Sequence, residues 1–286
     1  MAIFFALIAL VGWGAGDIFV AKVARKIGSR MTLFWWMMTS LLLSSLYLPF
    51  AGAIRDYQMF LGAIILNIFG VLGVWWYFRA FEISNVSLVG TISGAYPILV
   101  VPLSVIFFAE KLTQIQIVAI ISIIIGLILA TLHWEEVKNR DFIRLIDDKG
   151  IRLAFLTLIN WGIYWTLMRI PVERLGWYWS LFPFYILAPF LPLLGIVKNV
   201  SLAVFKNKRY ILMVFLMGGL TAMANFSFNL GITYGYTSIV APVSGAYPVL
   251  FVILSRFVFR ERLSRQQKVG IGFALAGIVL IGISSV

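Results

Sequence analysis

A repeated pentapeptide limits the possible folds of this chain more than any other feature. The sequence Ser-Gly-Ala-Tyr-Pro occupies residues 93–97 and returns unchanged at residues 244–248, a separation of 151 residues. Around it, Ser87–Leu129 aligns without a gap on Ser238–Leu280. A period of this length is too long for a solenoid and indicates that a whole domain has been duplicated. We therefore expect a fold made of two similar halves.

Composition places both halves in a lipid bilayer. Apolar residues make up 62% of the chain and charged residues 12%, with a mean hydropathy of +1.00, values that a soluble globular domain does not have. A helix needs about 20 mostly apolar residues to cross a membrane. Ten such segments follow one another at residues 2–23, 30–50, 57–79, 86–108, 114–133, 150–169, 177–197, 209–231, 237–259 and 265–285. The predicted fold class is therefore an all-α integral membrane protein with ten transmembrane helices.

The ten segments divide into two five-helix repeats, residues 1–133 and 150–286, joined by a polar linker at residues 134–149. Five is an odd number, so the second repeat must enter the membrane from the opposite side, and the repeats are predicted to be inverted. The joins after odd-numbered segments hold nineteen lysines and arginines, against four in the other joins. Because basic loops stay in the cytoplasm, both termini are expected outside it.

The first segment is expected to be a membrane span and not a cleaved signal peptide. No basic residue precedes it, it exceeds the length of a signal core, and it has a counterpart in the second half.

The sequence argues against an enzyme, a metal site and a bound cofactor. It contains no cysteine, one histidine, no acidic cluster with metal-ligand spacing and no phosphate-binding loop. The net charge of +12 arises from basic residues at the ends of apolar segments, which is not the pattern of a nucleic-acid interface. A membrane carrier or scaffold is the class that remains.

The fourth and ninth segments contain the residues most suited to bending a helix. A proline in a membrane helix leaves backbone carbonyls that neighbouring groups or cavity water must satisfy, so such helices are expected inside the bundle. The residues predicted to kink or gate are Gly94, Pro97, Pro102, Pro242, Gly245 and Pro248. Tyr96 and Tyr247 are the adjoining polar-tipped side chains and are predicted to bind substrate. The alternative is that these positions serve packing alone.

Polar side chains share one face of the eighth segment. Thr221, Asn225 and Asn229 are spaced by four residues and therefore lie along one side of a helix. In the first half, Asn67 is the polar residue of the matching face. We predict a substrate pocket with one hydrogen-bonding wall, which carries Asn225 and Asn229, and one more apolar wall on the third segment, where Asn67 is a further predicted substrate ligand. The alternative is that Asn225 and Asn229 hold helices together.

Asp17 is the strongest single indication of function. It interrupts an apolar first segment, and an ionised group at that depth is costly enough to mark a functional site. It is predicted to couple transport to protons or to face a cationic group, and pairing with Lys22 is the structural alternative. Glu82 and Glu110 lie near segment ends, where solvent or basic neighbours are expected to reach them.

Aromatic residues deep in the segments suggest the rest of a pocket. Trp13, Tyr77, Trp161 and Tyr164, with Asn160 beside them, are predicted to line a cavity in which rings stack on a substrate or face a cation.

These features together resemble the EamA-type branch of the drug/metabolite transporter superfamily. The resemblance covers essentially the whole chain and rests on paired motifs: Trp13-Gly14 with Trp161-Gly162, the two pentapeptides, and the turns at residues 108–112 and 259–263, followed by Gly126 and Gly277. It implies a basket of helices around a central cavity, with the fifth and tenth helices at the side as dimer-forming elements, so a homodimer is an expected partner. Asp17 departs from the family pattern, which leaves its role to be argued here.

The function expected from the sequence is secondary transport of small amphiphilic metabolites such as amino acids, as an exporter in the cell membrane working by alternating access. A small-molecule substrate and the lipid bilayer are the expected partners. Sugar or nutrient uptake, drug efflux, flipping of a lipid-linked group and a non-transporting scaffold are the alternatives.

Overall fold

A computed structural model of the chain describes residues 1–84, 86–131, 148–193, 195–197, 200, 207–258 and 263–284. Every long regular element in these ranges is an α-helix, and short 3₁₀ turns lie at Leu48–Phe50 and Ala188–Phe190. The helices are α1 (Ala2–Ile27), α2 (Ser29–Ser45), α3 (Tyr57–Ile83), α4 (Val86–Gly94), α5 (Pro97–Phe108), α6 (Gln114–Thr131), α7 (Lys149–Leu167), α8 (Arg169–Trp179), α9 (Phe182–Ile186), α10 (Lys208–Tyr234), α11 (Thr237–Gly245), α12 (Tyr247–Val258) and α13 (Arg265–Ser284). Most of the predicted linker and the second turn at residues 259–262 lie outside the described residues.

Much of the chain is long and apolar enough to cross a membrane. Within the described residues, seven helical stretches meet that test: Ala2–Ala24, Tyr57–Ile83, Leu88–Phe108, Gln114–Thr131, Lys208–Tyr234, Thr237–Leu254 and Arg265–Ser284. The pair α7 and α8, bent by 77°, makes an eighth if it counts as one span. Each of the seven coincides with one of the ten segments predicted from the sequence to within about five residues, whereas the bent pair extends past the sixth predicted segment into the seventh.

Two predicted segments differ from the structure. The second is shorter than expected, because α2 has 17 residues and ends before the 3₁₀ turn at Leu48–Phe50. The seventh is not one helix, because α8 bends at Gly176 and the chain continues only as α9 and a 3₁₀ turn. Pro183 and Pro189 begin these two short elements, and proline cannot donate the backbone hydrogen bond that would continue a preceding helix.

Helices α6 and α13, which are equivalent in the two repeats, pack together through glycine and run antiparallel. A Cβ atom added to Gly277 would lie 2.6 Å from the carbonyl oxygen of Ala119, and one added to Gly270 would contact the backbone of Ala130. Rising residue numbers in α6 therefore meet falling numbers in α13. A Cβ atom on Gly126 would in turn contact the backbone of Gly270 and Ala274. Glycine at these points lets the two backbones approach closely.

Gly270→Ala is expected to destabilise the protein, whereas Gly272→Ala is not. A methyl group at residue 270 meets the backbone of α6, while one at residue 272 meets nothing within 4 Å. Overpacking of a tight contact costs about 1–3 kcal/mol. Thermal unfolding of the two purified variants in detergent measures the difference. Equal unfolding temperatures would show that the α6–α13 contact can relax without cost.

The inner helices also pack on helices of the opposite repeat. In one contact, Gly12 of α1 lies against Leu220 and Ala224 of α10. In the other, Gly73 of α3 lies against Asn160 of α7. Helices α1 and α7 begin the two repeats, so each repeat's first helix packs on the third helix of the other.

The two pentapeptides form helix breaks that face each other. Helix α4 ends at Gly94 and α5 begins at Pro97, while α11 ends at Gly245 and is followed by α12. A Cβ atom on Gly94 would lie 3.0 Å from Cγ of Pro248, and one on Gly245 would lie 2.6 Å from Cγ of Pro97. Each glycine therefore receives the proline ring of the opposite repeat. Pro102 and Pro242 lie inside α5 and α11.

Candidate functional site

A cavity lies where the inner helices of both repeats meet at the two helix breaks. About 80 Å³ inside it can be reached by the centre of a water molecule. Its walls come from α1, α2, α3, α7, α9, α10 and α12 and from the break after α4. The lining residues are Trp13, Asp17, Val20, Trp36, Gly70, Val74, Tyr77, Phe78, Tyr96, Trp161, Tyr164, Trp165, Phe184, Thr221, Asn225 and Tyr247.

The structure brings together most of the residues predicted to bind substrate. Eight of the eleven line this cavity: Trp13, Asp17, Tyr77, Tyr96, Trp161, Tyr164, Asn225 and Tyr247. They come from both repeats, and the spacing of residues along the sequence does not show which residues of one repeat lie beside those of the other. The cavity is therefore shared between the two halves.

Asp17 is the one charged side chain among the described lining residues. It is partly exposed and lines the cavity. Tyr77 on α3 and Tyr247 on α12 lie close to its carboxyl group. The carboxyl group therefore meets tyrosine hydroxyls and the cavity.

A hydrogen-bonded chain holds one wall of the cavity in place. The indole N–H of Trp13 donates to Oδ1 of Asn225 at 2.6 Å, and Nδ2 of Asn225 donates to the hydroxyl of Tyr185 at 2.8 Å. On the neighbouring turn of α10, Trp36 donates to the hydroxyl of Thr221. Asn225 thus fixes a lining tryptophan, so it both faces the cavity and joins helices.

Tyr96 lies at the first helix break with its hydroxyl unused. The side chain is 1% exposed, and no described residue is in hydrogen-bonding geometry with the hydroxyl, the nearest polar side chain being that of Ser244. Its ring meets that of Trp161 edge to face, with centroids 6.1 Å apart. A buried hydroxyl without a partner is costly, so its position on the cavity wall marks it as a group available to a bound solute.

Three predicted substrate ligands, Asn67, Asn160 and Asn229, instead lie outside the cavity lining and join helices. Asn67 donates to Ser180 O at 2.8 Å and accepts from the hydroxyl of Tyr164 at 3.0 Å. Asn160 donates to Phe69 O at 2.9 Å. Asn229 donates to Oγ of Ser180 at 3.0 Å. Each of the three amide NH₂ groups donates to a neighbouring helix or to the chain beside it, whereas Oδ1 of Asn160 and Oδ1 of Asn229 have no partner among the described residues.

Two residues that line the cavity, Val20 and Phe184, were not predicted from the sequence. Val20 lies three residues after Asp17, so the helical period placed it on the same face as the carboxyl group. Phe184 belongs to the short helix α9, which no periodicity indicated. Trp36 on α2 is a further lining residue that the sequence did not predict.

A second buried carboxylate lies away from the cavity and joins the halves. Glu110 is 4% exposed and accepts hydrogen bonds from the backbone N–H groups of Thr237 and Ser238 at 2.8 and 2.9 Å. It also binds the hydroxyl of Ser238 and the guanidinium group of Arg169. Glu110 was expected to be either solvated or paired. It is buried and paired with Arg169, and the N-terminus of α11 is a further partner.

Local geometry turns Glu110 toward α11. Ala109, which ends α5, has a left-handed backbone with φ of 51°, a conformation that stops a helix and redirects the chain. The guanidinium carbon of Arg169 lies 5.2 Å from the centroid of the Phe108 ring, and Nε of Arg169 binds Glu173 at 2.6 Å. Glu82, by contrast, is half exposed and binds Ser29 and Arg79 at the end of α3.

Known proteins resemble this chain in sequence and in fold. The sequence model of the EamA-like transporter family matches residues 1–132 and again residues 148–283. One relative, an uncharacterized protein from Methanocaldococcus jannaschii, is 30% identical over 136 residues, which cover 96% of that protein but 46% of this chain. A solved crystal structure superimposes with a TM-score of 0.73 over 99% of this chain and 98% of its own. Its identity is 16%, so this similarity is one of fold.

Proposed function

Because the chain belongs to the EamA-like transporter family, within the drug/metabolite transporter superfamily, we propose that it is a secondary transporter of small amphiphilic metabolites. It is a multi-pass membrane protein of a transporter family, so no catalytic step is assigned to the cavity. The proposed activity is export of amino acids or related compounds by alternating access around the central cavity, with no cofactor. The cell membrane is the proposed location, with both termini outside the cytoplasm.

The proposed architecture is ten transmembrane helices in two inverted repeats. The antiparallel packing of α6 on α13 supports inversion, because equivalent helices of two repeats with the same orientation would run the same way. The reciprocal contacts of Gly94 with Pro248 and of Gly245 with Pro97 support a two-fold relation between the repeats. A relative about half as long as this chain supports a duplicated five-helix unit. Inverted halves that meet at a central site are the plan of many secondary transporters.

One observation carries the proposal of transport. The cavity lies at the crossing of two broken helices from opposite repeats, and it contains a carboxylate and an unpaired tyrosine hydroxyl. A helix break lets the segments on either side move separately, so rocking of one repeat against the other would alter access to the cavity. A scaffold protein has no need of such a cavity. Gating by the two breaks is part of the proposal.

Selective stabilisation by a solute tests whether the cavity is a binding site. Purified protein in detergent is heated in the presence of a library of amino acids, amines, sugars and drugs, and the unfolding temperature is recorded. A solute that binds the folded state raises that temperature, because it adds a stabilisation that grows with the logarithm of its concentration over Kd. Uniform behaviour across the library would contradict the proposed function.

Asp17→Asn is expected to abolish either proton dependence or selection for cationic substrates in proteoliposome flux. The substitution keeps the shape of the side chain but removes the only charge among the described lining residues. Asp56→Asn is the matched control, because Asp56 begins α3 as an N-cap and asparagine serves equally well there. If proton dependence and charge selection both survive in Asp17→Asn, the role of Asp17 is structural.

A further inference from the structure

The electrostatic character of the cavity is one-sided. Asp17 supplies a negative charge, and the described lining residues include no lysine, arginine or histidine. A solute with a carboxylate would therefore enter a poorly hydrated space that already contains a carboxylate and has no cation to pair with. An organic cation would find a counter-ion instead.

Aromatic rings surround the carboxylate and favour the same charge. The ring of Trp13 lies 5.5 Å from that of Trp165 and 5.7 Å from that of Tyr247, measured between centroids. On the side of α3, the rings of Tyr77 and Trp161 are 4.9 Å apart. The faces of such rings attract cations, and the attraction grows to about 2 kcal/mol where water is excluded. The same rings provide an apolar surface for a hydrocarbon chain.

The hydroxyl of Tyr96 indicates what kind of cation fits. It is buried without a partner, and a primary ammonium group has three N–H bonds to donate. Two neighbouring donors are already engaged, because Trp13 donates to Asn225 and Trp36 donates to Thr221. The Tyr96 hydroxyl is therefore the group on this wall that can accept a hydrogen bond. A primary ammonium ion can donate one to it, whereas a quaternary ammonium ion has no N–H group to donate.

The size of the cavity limits the rest of the molecule. A cavity of about 80 Å³ is of the order of a few water molecules. A small organic ion is closer to that size than a disaccharide or a lipid.

We propose that the cavity selects small primary alkylammonium ions over zwitterionic amino acids, with Asp17 and Tyr96 binding the nitrogen and the rings of Trp13 and Trp165 covering the hydrocarbon. This inference rests on the proposed transport function and assigns its substrate to the amines related to amino acids, and not to the amino acids themselves. It assigns charge selection to Asp17 and selection for N–H donors to Tyr96.

A matched set of solutes tests the inference. The compounds are 3-methylbutylamine, its alcohol 3-methylbutan-1-ol, the quaternary N-trimethyl derivative of the amine, and leucine, which is the same amine with an added carboxylate. Kd is measured for each by titration of tryptophan fluorescence and of the unfolding temperature on the purified wild-type protein. We expect the primary amine to bind at least about tenfold more tightly than each of the other three, a difference of about 1.4 kcal/mol.

Two variants separate the contributions of the nitrogen ligands. Asp17→Asn is expected to make the amine and the alcohol bind equally, and Tyr96→Phe is expected to remove only the preference for the primary over the quaternary amine. Leucine binding as tightly as the amine would overturn the inference and leave the transport proposal standing. If neither this set nor the wider library stabilises the wild-type protein, the proposed function itself fails.

Discussion

Glu110→Ala is expected to lower the stability of the folded protein by about 3–5 kcal/mol, the cost of removing one partner from a buried ion pair. The substitution leaves the guanidinium group of Arg169 with only its exposed partner, Glu173. It also leaves the N–H groups of Thr237 and Ser238 without an acceptor. The guanidinium group and two buried N–H groups thus lose the same carboxylate, so the effect exceeds that of breaking a surface ion pair.

Glu173→Gln is the matched control, because it removes the other carboxylate that binds Arg169. The Glu173 side chain is 55% exposed, and an exposed pair contributes about 0–1 kcal/mol. Unfolding of the variants in detergent, followed by tryptophan fluorescence, gives the comparison. The double variant Glu110→Ala with Arg169→Met should recover part of the loss, because it removes the unpaired charge. Similar unfolding of the Glu110 and Glu173 variants would contradict the account of Glu110 as a buried joint between the halves.

Gly245→Ala is expected to reduce flux by at least about tenfold while the protein remains folded. Its Cβ atom would lie 2.6 Å from Cγ of Pro97 and 3.3 Å from the hydroxyl of Tyr96. A proline ring cannot rotate away, so the two helix breaks must separate or shift, and overpacking of this kind costs about 1–3 kcal/mol. A displacement of about 1 Å in a binding constellation is enough to lose a hundredfold in activity.

Gly90→Ala provides the control for this prediction. Gly90 lies one turn before the first break in α4, and a Cβ atom there meets nothing within 4 Å. Flux in proteoliposomes and the unfolding temperature are measured for both variants. Wild-type flux in Gly245→Ala would show that the crossing of the breaks is loosely packed and would remove the support it gives to gating.

Local sequence patterns predicted most of the helices, because each depends on residues within one segment. Apolar length indicated the spans, and the prolines of the two pentapeptides indicated the breaks between α4 and α5 and between α11 and α12. The same reasoning failed for the seventh segment. The hydropathy of this segment resembles that of a continuous span. Its prolines nevertheless divide it, because proline lacks the backbone N–H group that a continuous helix needs and hydropathy does not measure that loss.

Which of the polar side chains border the cavity and which join helices could not be predicted in the same way. Asn225 and Asn229 occupy one face of α10, yet Asn225 borders the cavity while Asn229 hydrogen-bonds Ser180 and Trp177. The difference arises from α8 and the chain just after it, which cover the end of α10 near Asn229. No periodicity within α10 contains that information.

The sequence by itself determined that this chain is helical, duplicated and apolar enough for a membrane, and it singled out Asp17 as a carboxylate in an apolar helix. Only the tertiary structure decided that Tyr77 and Tyr247 meet Asp17 and that Glu110 binds the start of α11. The physical reason is that hydropathy and helix breaking act over a few neighbouring residues. A cavity, by contrast, is formed by side chains from helices far apart in the chain, and its contents depend on how closely glycine allows those helices to pack.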